Sequence, residues 1–353
     1  MSTDDGSRLR VAIVDDSAYV RYVLKTRLES LGAEVVATFA RGEPAIDQVP
    51  DLNPDVVTMD VLMPGLGGIE TVRQLRNRWP GTIIMVSSQT CEGAAATWDA
   101  LDAGADDFVA KPTPPYPLDS VMEMIVAKAY ALIRPRTAFR SRIHDLRRPE
   151  RVMPGSGHDA FQAMVIGAST GGPRALATVL GALRAPPRIP LLIVQHMPAG
   201  FTASFAERLT GQLGFGVQEV PPDGTSIPLL SSSVVLATGG RHLRVSAHRC
   251  WSEPGTRLHG VIPAVDVTLL DALESFGSRL GVVILTGMGE DGCRGAIQAH
   301  QRGAWVVAEA QETAVVWGMP GAVVQAGAAD AVWPLNQIGL WLNDTVTGAV
   351  DGD

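Results

Sequence analysis

Short apolar runs alternate with amphipathic stretches along the first third of the chain. Between Arg10 and about Ile133, five runs rich in β-branched residues are each followed by a stretch with the apolar spacing of a helix. The runs are VAIVDD, EVVATF, DVVTMD, TIIMVSS and DFVAKP. Apolar strands that alternate with helices are typical of a parallel sheet covered on both faces, so the pattern predicts an α/β domain built from βα units.

The same alternation returns from Ala163 to about Leu342, with strands predicted at MVIGAS, LLIVQH, VVLAT, GVVILTG and WVVAEA. A hairpin-like stretch from Val234 to Val245 predicts antiparallel strands at one edge of this second sheet. Residues 134–158 lack periodicity and are rich in arginine, proline and glycine, which is typical of a solvated linker. We therefore expect two doubly wound α/β domains, residues 1–133 and 159–345, joined by a linker at 134–158.

Length and charge narrow the class of protein. A chain of 353 residues exceeds the usual size of one core, and its formal net charge of −8 argues against a general nucleic-acid binder. No apolar run approaches the ~20 residues of a membrane-spanning helix, so we expect no membrane insertion. Three scattered cysteines and a polar N-terminal stretch without the order of a signal peptide favour a cytoplasmic protein.

Acidic residues end two strands of the first domain. Asp15 and Asp16 follow the first strand and Asp60 ends the third. Because the carboxyl ends of parallel strands meet at one edge, we expect these carboxylates to cluster and to bind Mg²⁺, which prefers oxygen ligands. Lys111 and Ser87, which end two further strands, add a cation and a hydroxyl to that edge, where a phosphoryl group on Asp60 could be held. The alternative is that the aspartates are helix N-caps.

These residues resemble the receiver domain of response regulators, from residue 10 to about residue 133. The family has an acidic pair after the first strand, here Asp15 and Asp16, and a phosphoacceptor aspartate followed by x-x-Met-Pro, here Asp60 with Met63-Pro64. It also has a hydroxyl after the fourth strand, here Ser87, and a Lys-Pro after the fifth, here Lys111-Pro112. The resemblance implies a flavodoxin-like sheet of order 2-1-3-4-5, Mg²⁺ held by Asp15, Asp16 and Asp60, phosphorylation of Asp60, and switch roles for Ser87 and Lys111. The chain departs from the family pattern at Leu62, where an acid or amide is frequent, and at Gly67-Gly68, where the family has Asp-Gly. The first departure bears on the lifetime of the phosphoryl group.

In the second domain, an apolar strand ends on a serine in the run AMVIGASTGGP. The chain then turns through Gly171 and Gly172 into a predicted helix, which places Ser169 at a helix N-terminus. Backbone N–H groups there can stabilise the oxyanion of acyl transfer, so Ser169 is the candidate nucleophile. The alternative is a phosphate or dinucleotide loop, although the spacing does not match G-x-G-x-x-G and the next strand ends on His196 rather than on an acid.

A serine nucleophile needs a base and a carboxylate that orients the base. His196 ends the strand after the Ser169 unit, on the edge where Ser169 should emerge, and His242 is its main rival. Asp291 lies in the run LTGMGEDG, again at a strand that leads through glycines into a helix, and Glu290 is the alternative acid. Each has a simpler interpretation, His196 as an ordinary strand-end histidine and Asp291 as a helix N-cap.

The runs GASTGG, QHMP-x-GF-x-x-x-FA-x-RL and LTGMG-x-DG resemble the chemotaxis protein-glutamate methylesterases, the CheB family, over nearly the whole second domain. The resemblance implies a Rossmann-like hydrolase domain in which Ser169, His196 and Asp291 are the triad and Thr170 and Met288 line the site. Two stretches depart from the family pattern. Thr238-Gly-Gly-Arg-His242 replaces Pro-Gly-(Asp/Asn)-x-His, and Ile262-Pro-Ala-Val-Asp-Val267 replaces Arg-Pro-Ser-Val-Asp-Val, which bears on substrate contacts.

The two resemblances together imply a phosphorylation-regulated esterase of chemotaxis. Its substrates would be methylated chemoreceptors, its phosphodonor the histidine kinase CheA, and its further activity the deamidation of receptor glutamines, with no cofactor for the esterase. Two other interpretations stay open: a signalling adaptor controlled by the receiver, and a hydrolase for a substrate outside chemotaxis. A nucleotide-dependent enzyme would instead show saturable dinucleotide binding.

Overall fold

The structure, a computed structural model, describes residues 8–88, 90–111, 118–133 and 161–347, without the side chains of residue 91 and residues 118–120. The chain divides into two compact units, one ending at Pro135 and the other beginning at Arg136. The linker predicted at residues 134–158 lies outside the described residues, as does Pro112 of the Lys-Pro motif. The predicted domain boundaries therefore stay predictions.

The first unit alternates strands and helices. Its strands are β1 (Arg10–Val14), β2 (Glu34–Phe39), β3 (Val56–Asp60), β4 (Thr82–Ser87) and β5 (Asp107–Ala110). Its helices are α1 (Ala18–Ser30), α2 (Gly42–Leu52), α3 (Gly67–Arg76), α4 (Cys91–Asp102) and α5 (Leu118–Ile133). The strands pair in parallel in the order β2-β1-β3-β4-β5, which confirms the predicted order.

Helix packing in the first unit follows from the sequence pattern. Every residue of β3 is buried, as a strand covered on both faces requires. One stripe of α5 is also buried, at Val121, Met122, Ile125 and Val126, a spacing that repeats with the period of a helix. Full burial of each such side chain contributes roughly 1.5–3 kcal/mol. These contacts hold the strand ends of the sheet in place.

The second unit is larger and carries two sheets. Its strands are β6 (Ala163–Ala168), β7 (Leu191–Gln195), β8 (Val217–Glu219), β9 (Ile227–Pro228), β10 (Val234–Leu236), β11 (His242–Val245), β12 (Arg249–Glu253), β13 (Leu280–Ile284), β14 (Trp305–Glu309) and β15 (Ala331–Trp333). Its helices are α6 (Gly172–Gly181), α7 (Phe201–Leu213), α8 (Val265–Phe276), α9 (Cys293–Gln301), α10 (Met319–Gln325) and α11 (Leu335–Thr347), with a 3₁₀ turn at Gly277–Arg279.

The main sheet of the second unit has the order β15-β14-β13-β6-β7-β10-β8, and all of its pairs are parallel. The chain runs from β6 outward to β7 on one side, and the later strands β13 to β15 lie on the other side. This doubly wound arrangement confirms the predicted fold class. The order reverses between β6 and β13, and at such a switch point the loops after the strands leave a crevice between them.

The antiparallel strands differ in detail from the prediction. They form a separate sheet of order β11-β12-β9 rather than joining the edge of the main sheet. β10 pairs in parallel with β7 and β8, because its three residues are all buried like those of a central strand. The hairpin turn therefore lies between Val245 and Arg249, where the Ser246 N–H donates to the Arg249 carbonyl at 2.8 Å.

Among the described residues, no helix combines the length and the apolar character that crossing a bilayer requires.

Candidate functional site

The carboxyl edge of the first sheet gathers two buried aspartates around a lysine. Lys111 Nζ lies 2.8 Å from Asp60 Oδ2 and 3.1 Å from Asp15 Oδ2. Burial raises the pKa of Asp60, and the hydrogen bond from Lys111 offsets only part of that effect. Burial lowers the pKa of Lys111, but the hydrogen bond and attraction of Asp60, joined by Asp15, outweigh it and raise that pKa overall.

The same edge fits a divalent cation. Oxygen atoms of Asp15, Asp16 and Asp60 lie within 4.8 Å of one another, as predicted from their positions after β1 and in β3. Within the described part of the chain, the buried Asp15 Oδ2 accepts no well-oriented hydrogen bond, although Lys111 Nζ lies 3.1 Å from it. A cluster of carboxylate oxygens with an unsatisfied buried acceptor is the donor set that Mg²⁺ prefers. The Mg²⁺ expected from the sequence is therefore compatible with the residues present.

Ser87 lies next to this pocket, but its hydroxyl does not point into the carboxylate cluster. It donates to the Gly93 carbonyl in α4 at 3.0 Å, and the Ser87 carbonyl accepts from the Lys111 N–H at 2.6 Å. Leu62 is 45% exposed, while its backbone N–H donates to the Asp60 carboxylate. Gly68 allows α3 to approach closely, because a Cβ there would lie 2.0 Å from the Asp60 carbonyl oxygen.

In the second unit, Ser169 follows β6 at the switch point of the main sheet. Its N–H donates to the Thr286 carbonyl at 3.0 Å, which ties the serine turn to the loop after β13. Gly171 has a φ of 75°, a left-handed conformation that favours glycine and that turns the chain into α6. A Cβ on Gly287 would lie 2.8 Å from Ser169 Cβ, so the two loops meet at van der Waals contact only because residue 287 has no side chain.

His196 and Asp291 meet beside this turn. His196 Nε2 lies 2.8 Å from Asp291 Oδ2, and both side chains are buried. Burial would raise the pKa of Asp291, but the hydrogen bond and attraction of His196 and the backbone N–H groups of Asp266 and Val265 outweigh it and lower that pKa. An ionised Asp291 can only accept, so His196 Nε2 donates this bond, and in the neutral form of the imidazole the lone pair is then on Nδ1. Among the residues that the structure describes, the buried His196 Nδ1 has no hydrogen-bond partner.

Strand pairing places these residues at one edge. Ala168 is opposite Gln195 in the β6–β7 pair, so Ser169 and His196 each follow a paired residue. The His196 N–H donates to the Ala168 carbonyl at 3.0 Å. A hydroxyl, a nitrogen with a free lone pair and a carboxylate thus lie at three neighbouring strand ends. Catalytic hydrogen bonds are often incomplete without substrate, so the free Nδ1 is compatible with a base for Ser169.

The rival residues occupy structural positions. His242 Nδ1 accepts the Ala264 N–H at 3.2 Å, and His242 Nε2 donates to the Thr256 carbonyl at 2.9 Å, so both ring nitrogens are in use. The Glu290 side chain is 70% exposed and lies 3.7 Å from His259 Nδ1, away from His196. Of these sequence-predicted candidates, His196 and Asp291 are therefore the histidine and the acid that the structure brings together.

Thr170 and Met288 lie on the two loops that flank Ser169. The Thr170 side chain is buried, whereas Met288 is 38% exposed. The backbone N–H groups of both residues donate to no group of the described chain. Two unpaired amides on either side of a serine are suited to a developing oxyanion.

Residues 164–342 match the family model of the CheB methylesterase, which covers more than half of the chain. The chain belongs to the CheB methylesterase family. Residues 11–123 match the response regulator receiver domain, so the first unit is a receiver unit and the second a methylesterase unit. Both identifications confirm the resemblances found in the sequence.

Full-length relatives of this methylesterase agree with the two matches. A protein-glutamate methylesterase/protein-glutamine glutaminase of Symbiobacterium thermophilum is 41% identical over 97% of this chain and 97% of that protein. One of Thermotoga maritima is 39% identical over 94% of this chain and 96% of that protein. The crystal structure of the Thermotoga maritima CheB methylesterase catalytic domain is 39% identical, covers 52% of this chain and 98% of that domain, and superimposes with a TM-score of 0.49.

The methylesterase unit contains site residues that sequence reasoning missed. The Gln195 side-chain amide donates to the Ser169 carbonyl at 2.8 Å and to the His196 carbonyl at 3.2 Å, which joins the two strand ends. The Thr286 hydroxyl donates to the Thr170 carbonyl at 2.9 Å. Gln195 stands directly before the candidate base, which is the one signal that could have found it. The contact of Thr286 depends on the pairing of β6 with β13, which no local pattern reveals.

Proposed function

We propose that this protein hydrolyses glutamate γ-methyl esters with Ser169 as nucleophile, His196 as general base and Asp291 as the orienting carboxylate. The observation that carries the proposal is the buried His196–Asp291 hydrogen bond, with a free Nδ1 beside the Ser169 turn. His196 Nδ1 takes the proton of Ser169 Oγ, which attacks the ester carbonyl. The protonated imidazole then gives the proton to the leaving oxygen, and methanol departs. Water hydrolyses the glutamyl-enzyme by the same route.

The amides of Thr170 and Met288 would hold the oxyanion of the tetrahedral intermediates. Each lies on a loop fixed to the serine turn, and neither has a competing acceptor in the described chain. One such donor typically supplies roughly 3 to 4 kcal/mol of transition-state stabilisation. Asp291 stabilises the imidazolium because backbone N–H groups from Val265, Asp266 and Gly292 keep it ionised and fixed.

The substrate class follows from the relatives, which are named as methylesterases and glutaminases of protein side chains. We assign methylated chemoreceptors as the substrate of this chain and the cytoplasm as its place of action. The glutaminase reaction uses the same acyl-enzyme, with ammonia instead of methanol as the leaving group. Both reactions need only the triad and the oxyanion donors, so the esterase requires no cofactor.

Regulation would come from the receiver unit. Asp60 attacks the phosphorus of a phosphodonor, for which the family implies the histidine kinase CheA. The bond between phosphorus and the donor breaks, the donor group leaves with the electron pair, and Asp60 becomes an acyl phosphate. Asp15, Asp16 and Asp60 would hold Mg²⁺, which offsets the charge of the phosphoryl group when bound. Lys111, already paired with Asp60, would balance part of the added charge of about 1.5 to 2 units. Ser87 would have to exchange its bond to Gly93 to reach the phosphoryl group.

The deciding experiment is methanol release from methylated receptor membranes, with wild type and Ser169→Ala, each with and without acetyl phosphate. We expect release that depends on Ser169 and rises with the phosphodonor. Release that continues in Ser169→Ala would reject the mechanism. No release under either condition would favour an adaptor or a different ester.

A further inference from the structure

A fully buried carboxylate lies beneath the serine turn, at the end of β14. Glu309 Oε2 accepts the Thr286 N–H at 2.7 Å, and Oε1 accepts the Thr313 hydroxyl at 3.0 Å. Within the described ranges, no basic side chain forms an ion pair with Glu309. Burial raises the pKa of Glu309, and the two hydrogen bonds offset only part of that effect. A carboxyl buried with so few partners usually costs stability, which points to a role other than stabilisation.

Thr286, the residue that Glu309 holds, connects both loops of the candidate site. Its carbonyl accepts the Ser169 N–H at 3.0 Å, and its hydroxyl donates to the Thr170 carbonyl at 2.9 Å. The same hydroxyl accepts the Val316 N–H at 2.9 Å. Every polar group of Thr286 is therefore engaged, and three of these bonds fix the two residues of the serine turn and the segment after β14.

The position of Thr286 explains why residue 309 needs a long side chain that carries an acceptor oxygen. β13 ends at Ile284, so the Thr286 N–H lies beyond the regular pairing with β14 and would be buried without an acceptor. Glu309 ends β14 and supplies that acceptor from its side chain. The next residue, Gly287, approaches Ser169 so closely that a Cβ on it would lie 2.8 Å from Ser169 Cβ, and it leads to the amide of Met288. A displacement of Thr286 would move the nucleophile and one oxyanion donor together.

We propose that Glu309 is a positioning residue for ester hydrolysis, because it fixes Thr286 and through it the Ser169 turn and the loop that carries Met288. The inference rests on the proposed serine mechanism. It predicts that the carboxyl acts as a hydrogen-bond acceptor whose geometry, rather than its charge, is required. A neutral residue of the same shape should therefore replace it.

The test compares Glu309→Ala with Glu309→Gln in the full-length protein, at a temperature where every variant is folded. Glu309→Ala leaves the Thr286 N–H without an acceptor. We expect kcat for methanol release to fall about 100-fold, the scale of a 1 Å misplacement, while KM changes less than about threefold. Glu309→Gln keeps an acceptor for Thr286, and its amide can donate to the Thr313 hydroxyl, so kcat should stay within about threefold of wild type.

Asp330 provides the matched control. It is also buried, and it accepts the Val306 N–H at 2.8 Å near the opposite end of β14. Asp330→Ala should lower the melting temperature of the methylesterase unit but leave kcat within about threefold. If Glu309→Ala gives a population too unfolded to assay, Thr313→Val, which removes one bond to Glu309, should still lower kcat by about three- to tenfold.

The outcomes separate this inference from the proposed function. A kcat loss confined to Glu309→Ala and Thr313→Val, with rescue in Glu309→Gln, would support the positioning role. Wild-type kcat in Glu309→Ala, or an equal kcat loss in Asp330→Ala, would overturn it while the Ser169 requirement still held. Activity that persists in Ser169→Ala would instead reject the serine mechanism itself.

Discussion

The two parallel sheets of this chain place a buried aspartate at the same kind of strand end, and the two aspartates differ in their protonation behaviour. Burial raises the pKa of Asp60 in the receiver unit, despite its bond to Lys111. The pKa of Asp291 in the methylesterase unit is lowered although that residue is buried as well. Position at the sheet edge therefore does not decide the chemistry of a carboxylate. Its hydrogen-bond donors do.

The donors differ in number and kind. Asp291 receives three backbone N–H groups, from Val265, Asp266 and Gly292, at 2.6 to 3.0 Å, besides His196. These bonds hold it as a permanent anion that can orient an imidazole. Asp60 receives one backbone N–H, from Leu62, and lies near a second carboxylate. Lys111 also lies 2.8 Å from Asp60, but these donors offset only part of the effect of burial on its pKa, which suits a group that must accept a cation and a phosphoryl group.

We expect the largest effect from replacing the histidine that Asp291 orients. His196→Gln removes the histidine that Asp291 holds and that we propose as the base for Ser169, so we expect kcat to fall by about 10⁴- to 10⁶-fold. His242→Gln is the control, because both nitrogens of His242 bond the backbone. It should cost about 1–3 kcal/mol of stability and less than about tenfold in kcat. Methanol release gives kcat for both variants. A larger loss of kcat in His242→Gln than in His196→Gln would mean that the base has been misassigned.

The two units also differ in how much of them the sequence predicted. The parallel pairing of the receiver sheet was predictable from the alternation of apolar strands and helices, whereas its strand order was predicted from the resemblance to receiver domains. The strands that escaped prediction in the methylesterase unit are short, such as β9 with two residues and β15 with three. Runs of that length carry no periodicity, and their pairing depends on distant partners.

A similar limit applies to the candidate sites. Location at a sheet edge was predictable for four side chains, because each follows or ends a strand and the carboxyl ends of parallel strands share an edge. They are those of Asp15, Asp60, His196 and Asp291. The direction of the Ser87 hydroxyl was not, since it depends on the Gly93 carbonyl of the next helix. Glu309 also escaped, because a glutamate at the end of an apolar strand gives no sign that it bonds a loop from the neighbouring strand.

Removal of the metal tests whether phosphorylation of Asp60 in the receiver unit needs a cation. If Asp60 needs a cation, EDTA should slow its phosphorylation by acetyl phosphate by about 1000-fold, the several kcal/mol that a metal supplies to a phosphoryl oxygen. Asp15→Asn should weaken the affinity of the receiver unit for Mg²⁺ by at least about tenfold. Asp55→Asn is the control, since Asp55 precedes β3 and accepts the Arg10 N–H at 2.7 Å.

Trapping of phosphorylated Asp60 followed by mass spectrometry gives the rate in each case. Basal methanol release should be the same with and without EDTA, because the proposed esterase mechanism uses no metal. Phosphorylation at an unchanged rate in EDTA would mean that Lys111 alone balances the phosphoryl group.

The smallest expected effect tests the comparison most directly, through the stability of the two aspartate-to-asparagine variants. Because the pKa of Asp60 is raised on folding, the folded state loses stability as the pH rises from the unfolded pKa of about 3.9 through the higher folded pKa. Without Mg²⁺ at pH 7, Asp60→Asn should therefore stabilise the receiver unit by about 1 kcal/mol. Because the pKa of Asp291 is lowered, its contribution is present above pH ~3.9 and is lost as the pH falls through the lower folded pKa.

Asp291→Asn should accordingly destabilise the methylesterase unit at pH 7 by about 1–3 kcal/mol, and this deficit should shrink at the acid end. Urea unfolding of the full-length variants at pH 7 and near pH 4 measures both differences, with each variant compared at the transition of its own unit. Opposite signs at pH 7 that converge near pH 4 are the expected result. Equal signs would contradict the idea that backbone donors, rather than the shared position at a sheet edge, set the behaviour of the two carboxylates.

Added Mg²⁺ should stabilise the wild-type receiver unit more than Asp60→Asn, because the variant lacks one of the three carboxylates that would hold the ion.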